Sequence, residues 1–250
     1  MSATVIAVLL AGALAGGFIN GLAGFGTALL ALGFWLQVLP PTQAVAMVVM
    51  LSVVSGLQGV WIVRREIGAN RVRLARFVLP ALVGVPLGAM VLSIISAPVL
   101  KLVIAAMMIL YGGFFILRRS LPHFSRPTPV ADAAIGFTGG VLGGAAGLSG
   151  AIPTMWCAMR PWTKAETRAV LQPYNVIVLA VAVLSMAFYG HYDAQVLLLI
   201  VMVLPATLIG AQIGIAAYRR LEDSQFRRLL IGLMFASGLG LMLRELPALL

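Results

Sequence analysis

The sequence predicts an all-α integral membrane protein of two inverted-topology repeats. Each repeat is a glycine-broken re-entrant helical hairpin followed by three transmembrane helices. Three observations predict it. First, the 250 residues are 62% hydrophobic and 10% charged, with a mean hydropathy of +1.07, whereas a soluble domain carries about 25% charged residues. Second, apolar stretches long enough to cross a bilayer alternate with clusters of arginine. Third, the glycine-rich stretch 139–153 (GGVLGGAAGLSGAIP) is echoed by 16–30 (GGFINGLAGFGTALL). Gly16, Gly17, Gly21 and Gly24 fall on Gly139, Gly140, Gly144 and Gly147. Glycine-broken apolar segments at matching places in two halves mark ligand sites in membrane proteins of this kind.

Taken in order, positions 1–63 hold no charged residue, and the first is Arg64. The N-terminal run resembles a signal-peptide core but lacks a basic flank, so it is read as part of the mature fold. Pro40-Pro41 divides this region, because proline removes a donor and disfavours helix in the residue before it. A hairpin over 3–39, interrupted at 21–26, precedes a span over 42–63. Spans follow over 77–95 and 98–117, joined by Ser96-Ala97-Pro98, which closes a first repeat of 1–120. A cytoplasmic linker, 121–131, leads into the second repeat, 132–250. That repeat holds a hairpin over 132–158 and spans over 169–189, 194–217 and 229–243. No alternation of polar and apolar residues suggests a strand, which excludes a barrel.

The basic clusters set orientation. Arg64, Arg65, Arg71, Arg73 and Arg76 mark one cytoplasmic loop, and Arg118, Arg119 and Arg126 a second. Arg160, Lys164 and Arg168 mark a third, and Arg219, Arg220, Arg227 and Arg228 a fourth. With these loops inside, the segment 132–158 starts and ends on the same side. Its arms around 143–150 have about 11 and 9 residues, or roughly 16 and 13 Å of helix, too short to span. It must dip in and return, and such a tip is tolerated only when buried in protein or facing a cavity. Three crossings per half is an odd number, so the second copy enters the membrane upside down. The pair Pro80, Gly84, Gly88 against Pro205, Gly210, Gly214 extends the repeat. Small residues at that spacing read as close helix packing.

The net charge of +10 flanks apolar segments, so positive-inside placement explains it and nucleic acid is not a partner. The single cysteine, Cys157, excludes an internal disulfide framework and a multi-cysteine metal site. No metal or other cofactor is expected.

The chemistry is expected at the two tips. A half-helix beginning after each tip leaves its first amides without intrahelical partners, and these attract an anion. The candidates are Gly24, Phe25, Gly26 and Thr27 in the first tip and Gly147, Leu148, Ser149 and Gly150 in the second. Thr27 and Ser149 add hydroxyl donors. Gln172 and Asn175, three apart, share a helix face; Asn20, Ser52, Ser55 and Gln58 are further polar candidates within spans. Trp156 and Trp162 read as interface anchors. Arg160 and Arg168 read as ordinary positive-inside residues, with a possible part in drawing anions to the inner mouth. No phosphate-binding loop occurs, so the chain does not hydrolyse ATP by itself. No acid or histidine lies deep in a span to relay protons. For an anion leaving a negative-inside cell the membrane potential supplies about 2.3 kcal/mol per charge per 100 mV.

The repeated hairpin, the 250-residue length and the run GLSGAIPTMWCAMRPWTKAETRAVLQPYN (147–175) resemble the sulfite exporter TauE/SafE family over essentially the whole chain. The resemblance implies a bacterial inner-membrane permease, not an enzyme, that exports sulfite, a sulfonate such as sulfoacetate, or a similar organosulfur anion. Where the family commonly has three glycines at the first tip, this chain has Gly24-Phe25-Gly26-Thr27. Phe25 is expected to narrow the way in or to lie against an organic tail. Other readings are uptake of a sulfur-containing anion or small carboxylate, and a non-transporting membrane assembly factor. A G-x-S-G serine protease is disfavoured, because its serine needs a nearby histidine base. His123 and His191, the only histidines, fall in a loop and a turn.

Overall fold

The computed structural model describes residues 2–117 and 124–220, together with Leu239 and Leu243. Helix α1 (Ala3–Ala23) starts at Ser2, whose hydroxyl accepts from the Val5 amide at 3.3 Å. It runs through Gly12, Gly16, Gly17 and Gly21 without a break and stops at Gly24, φ +82°. The Gly24 amide donates to Asn20 O at 2.7 Å, a left-handed ending that glycine adopts at no steric cost. Gly26, φ +93°, completes the turn. Helix α2 (Thr27–Trp35) then folds back along α1. Trp35 fixes that return: it is fully buried, and its indole N–H donates to Leu9 O at 2.9 Å.

Helix α3 (Pro41–Ile62) has proline at its first position, where the missing N–H costs nothing. Helix α4 (Arg64–Ile94) follows almost at once and is 31 residues long. The arginine-rich stretch 64–76, expected as a loop, is therefore helical. Its arginines, alanines and leucine are strong helix formers, and Arg73 Nη1 anchors it by donating to Glu166 Oε1 at 2.7 Å. Helix α5 (Ala97–Leu117) covers the stretch 98–117.

The second hairpin is α6 (Pro129–Ala146) and α7 (Ala151–Cys157). Its break lies later than the sequence suggested, so the arms have 18 and 7 residues. Gly143 and Gly144 stay helical, and only Gly147, φ +69°, turns the chain. Its amide donates to Gly143 O at 2.9 Å, and the Leu148 amide to Leu142 O at 3.1 Å, the paired bonds that close a helix at such a glycine. Helix α8 (Lys164–Phe188) begins at a capping box: Thr163 Oγ1 accepts from the Glu166 amide, and Glu166 Oε2 from the Thr163 amide. Helix α9 (Ala194–Arg220) follows. Every regular element among the described residues is helical. The span expected over 229–243 and linker residues 121–123 lie outside the described residues, apart from the isolated Leu239 and Leu243.

Each hairpin's long arm packs on a helix far from it in the chain. Gly17 and Gly21 of α1 lie on the Thr207 and Ala211 carbonyls of α9, while Gly210 and Gly214 lie on those of Leu14 and Phe18. The helices therefore run parallel. In the same way Gly136, Gly140 and Gly144 of α6 lie on the Phe77, Ala81 and Val85 carbonyls of α4, and Gly84 and Gly88 on those of Phe137 and Val141. Any Cβ at these glycines would strike backbone, so the axes approach as closely as glycine alone permits.

Helices α1, α3, α4, α8 from Ala165, and α9 are each long and apolar enough to cross a membrane. That includes α1, expected only as one arm of a re-entrant hairpin. The outer faces of α4 and α9 expose Leu79, Val83, Met90, Leu198, Val201 and Ile209. Water would oppose a continuous apolar belt of that kind, and lipid accepts it. The chain is a multi-pass membrane protein.

Candidate functional site

The two tips meet. A Cβ added at Gly150 would stand 2.7 Å from Phe25 Cβ, and one at Gly147 would touch Val48, Val49 and Ala28. Of the first-tip candidates Gly24, Phe25 and Thr27 are buried, and Gly26 is half-buried. All four residues of the second tip, Gly147, Leu148, Ser149 and Gly150, are buried. Irregular backbone at both tips is thus largely enclosed by protein, the condition under which a membrane protein tolerates it.

Beside the first tip lies a buried polar cluster. Asn20 Nδ2 donates to Ser55 Oγ at 2.6 Å and to Ser52 O at 3.2 Å, and Ser55 Oγ donates on to Leu51 O. Gln172 Nε2 donates to Gly56 O at 3.1 Å. Gly24, Gly56 and Gly59 all lie against the Gln172 side chain, where any Cβ would collide with it. These bonds fix both amides the same way round: Ser52 O and Gly56 O can only accept, and the Ser55 hydrogen is already given to Leu51 O. Asn20 Oδ1 and Gln172 Oε1 are therefore left as acceptors, buried and without partners, as is Thr27 Oγ1. A buried polar atom left unpaired costs about 1–3 kcal/mol.

Beside the second tip, Ser149 Oγ donates to Asn175 Oδ1, with both side chains buried. The serine hydroxyl, expected as a donor to the anion, instead donates within the protein, and it faces an amide rather than a histidine base. Among the described residues His191 is instead at the far turn, 3.4 Å from Ser93 Oγ. The α7 amides begin at Ala151, one residue beyond the expected tip. Gln58 stands apart from the cluster: it is half-buried and its Oε1 accepts from Gln212 Nε2 of α9 at 2.7 Å.

Arg168 is the residue that sequence reasoning placed elsewhere. Only 5% exposed, it donates from Nη2 to Gly21 O at 3.0 Å, and its guanidinium lies 4.0 Å from the Tyr218 ring centroid. Its Nε and Nη1 are buried and unpartnered, and no carboxylate among the described residues forms an ion pair with it. The signal was spacing. Arg168 stands four residues before Gln172 and seven before Asn175, hence on one face of α8. The cluster accordingly holds a buried cation, a hydroxyl and two free acceptors around a glycine-lined tip.

Arg160 has a different task. Its Nη1 donates to the carbonyls of Phe124 and Arg126, and its Nη2 to Thr128 Oγ1 and, at 3.0 Å, Asp132 Oδ1. Trp156 Nε1 donates to the same carboxylate oxygen at 2.8 Å and stacks on Phe124. Trp162 lies under the Arg73 guanidinium. Both tryptophans are therefore bound within the protein rather than serving only as lipid anchors. Arg73 and Arg76 line a groove of about 550 Å³ that also holds Glu66 and Glu166, so acid offsets the cations there.

The structure is thus a multi-pass helical membrane protein in which two broken hairpins meet beside a buried polar cluster that includes a cation. The chain matches the family described as sulfite exporter TauE/SafE over residues 8–241, and it belongs to that family. The family consists of membrane transporters rather than enzymes, and it implies a small anionic substrate. No curated protein and no solved structure matches the chain.

Proposed function

We propose that this protein is a secondary transporter that exports sulfite, or a small sulfonate of the sulfoacetate type, across the bacterial inner membrane. The anion is held between the tips of the two hairpins. The observation that carries this reading is the contact of two glycine-broken tips, Phe25 on Gly150, beside a buried cation and polar atoms that lack partners. Small backbone at such a site lets a ligand approach amides and carbonyls directly.

Residues 1–120 and 132–250 are read as inverted repeats. The reciprocal packing of α1 on α9 and α6 on α4, through glycines at matching places, supports this. So does the left-handed glycine that ends both long arms, Gly24 and Gly147. Rocking of one repeat against the other would then open the tips to either side in turn. Export needs no further coupling, because the membrane potential drives an anion outward.

The test is flux from proteoliposomes loaded with sulfite, sulfoacetate or a carboxylate control under an imposed potential. Efflux of a sulfur anion that follows the potential, and is lost in Gln172→Ala, is the expected result. Carboxylate flux without sulfur-anion flux would overturn the substrate assignment.

A further inference from the structure

We propose that the site selects a protonated monoanion, a hydrogen oxoanion such as hydrogensulfite, over the fully deprotonated dianion. The inference rests on the anion reading above and sharpens it to one protonation state. Its basis is the mixture of unmet groups. Arg168 Nε and Nη1 and the Thr27 hydroxyl are free to donate, while Gln172 Oε1 and Asn20 Oδ1 can only accept. A dianion offers acceptors alone. It would satisfy the donors and bring negative oxygen against two buried amide oxygens that can only accept. A hydrogen oxoanion carries oxygens for the arginine and a proton for a carbonyl, so it answers both sets.

The charge balance points the same way. One guanidinium with no carboxylate partner among the described residues is neutralised by one negative charge, and a second charge buried there would be uncompensated. Arg168 and Gln172 lie one helical turn apart on α8, on the same side. A single small anion is then placed with its charge toward Arg168 and its proton toward Gln172 Oε1. Among the described residues the charged groups near the cluster, other than Arg168, are already paired or exposed. Helices α1, α2 and α3 bring no titratable side chain to the cluster. Helix α9 brings Tyr218, against Arg168. On α4 and α6, Arg73, Arg76 and Asp132 are engaged in ion pairs, and the remaining charges of α4, at 64, 65, 66 and 71, are exposed. On α7 the one titratable group is the buried Cys157.

The experiment is ligand affinity by thermal shift of the full chain in detergent, at constant ionic strength, across pH. The probes are sulfite and methanesulfonate, a monoanion with no proton to lose. Above the pH at which hydrogensulfite gives up its proton, the apparent Kd for sulfite should rise about tenfold per pH unit, since only the competent fraction binds. The Kd for methanesulfonate should stay flat. Gln172→Met should weaken sulfite at low pH by about tenfold and leave methanesulfonate within about threefold. Arg168→Gln should weaken both by at least about tenfold, the loss expected when a charge-assisted bond is removed. Arg168→Lys gives the same comparison should the glutamine variant not fold. Sulfite that binds more tightly as pH rises, or at a pH-independent Kd, overturns the inference while leaving an anion site in place. A wild type that binds neither probe at any pH overturns the anion reading and this one with it.

Discussion

Phe25, in the turn of the first hairpin, lies directly on Gly150 of the second, so close that a methyl group at 150 would stand 2.7 Å from its Cβ and 2.8 Å from its ring. The contact joins the two tips by packing, and either partner can be altered separately. Gly150→Ala must displace Phe25 and is expected to destabilise the protein by about 1–3 kcal/mol, read as a lower Tm in detergent. Phe25→Ala removes the ring and is expected to raise flux of bulkier sulfonates relative to sulfite in proteoliposomes. An unchanged ratio would separate Phe25 from substrate passage.

Ser149→Ala leaves Asn175 Oδ1 without its donor in a buried place. The expected loss is about 1–3 kcal/mol, with flux reduced because the second tip is no longer held to α8. Ser149→Thr keeps the hydroxyl, but Gly143 lies beside Ser149 Cβ. The added methyl is therefore expected to recover stability only in part. Equal Tm for the alanine variant and wild type would show that the bond contributes nothing.

Asp132→Asn removes the negative charge that faces Arg160, with both side chains about 5% exposed. Breaking a buried pair from one side costs about 3–5 kcal/mol. Poor folding is therefore expected, and the double change Asp132→Asn with Arg160→Met is expected to recover part of the yield by removing the stranded cation. Size-exclusion profiles of the two variants beside wild type check this.

Two glycine changes should act in opposite directions. Gly140→Ala drives a methyl into Ala81 O of α4, and backbone cannot step aside, so assembly of α6 on α4 should fail. Gly68→Ala, on an exposed turn of α4 with nothing within 4 Å, should raise stability by about 0.5–1 kcal/mol through helix propensity alone. Parallel Tm measurements distinguish packing glycine from spare glycine.

That contrast also shows what could be read from residues and what could not. Gly24 and Gly147 were legible as paired members of two broken stretches, 21–26 and 143–150, but not as the particular residues at which the chain turns. The work of Gly16, Gly17, Gly140 and Gly144 was not legible, because it depends on which carbonyl lies opposite. Gly84 and Gly210 were read as packing residues, and the carbonyls against them agree. The helical state of 64–76 was hidden by its charge, which marks a side of the membrane but says nothing against a helix. Charge hid Arg168 as well. Counted with the loop arginines, it sits on the face of Gln172 and Asn175, and the spacing 168, 172, 175 was available to place it there. Gln58 shows the converse, a polar residue in a span whose partner is a glutamine of α9 rather than the cluster.

The clasp of α1 on α9 sets an order of events during synthesis. Helix α1 leaves the ribosome well before α9, yet the carbonyls that seat Gly17 and Gly21 belong to residues 207 and 211, made after helices α2 to α8. Helices α4 and α6 are much nearer neighbours in the chain, and the shorter loop between them closes with less loss of entropy. Docking can therefore begin in the middle of the polypeptide, while the N-terminal hairpin waits, inserted but unclasped, for its partner. Until then its glycine face is open to lipid or to an insertion chaperone, and a ribosome stalled before residue 207 would release a chain with half of its seam unsewn.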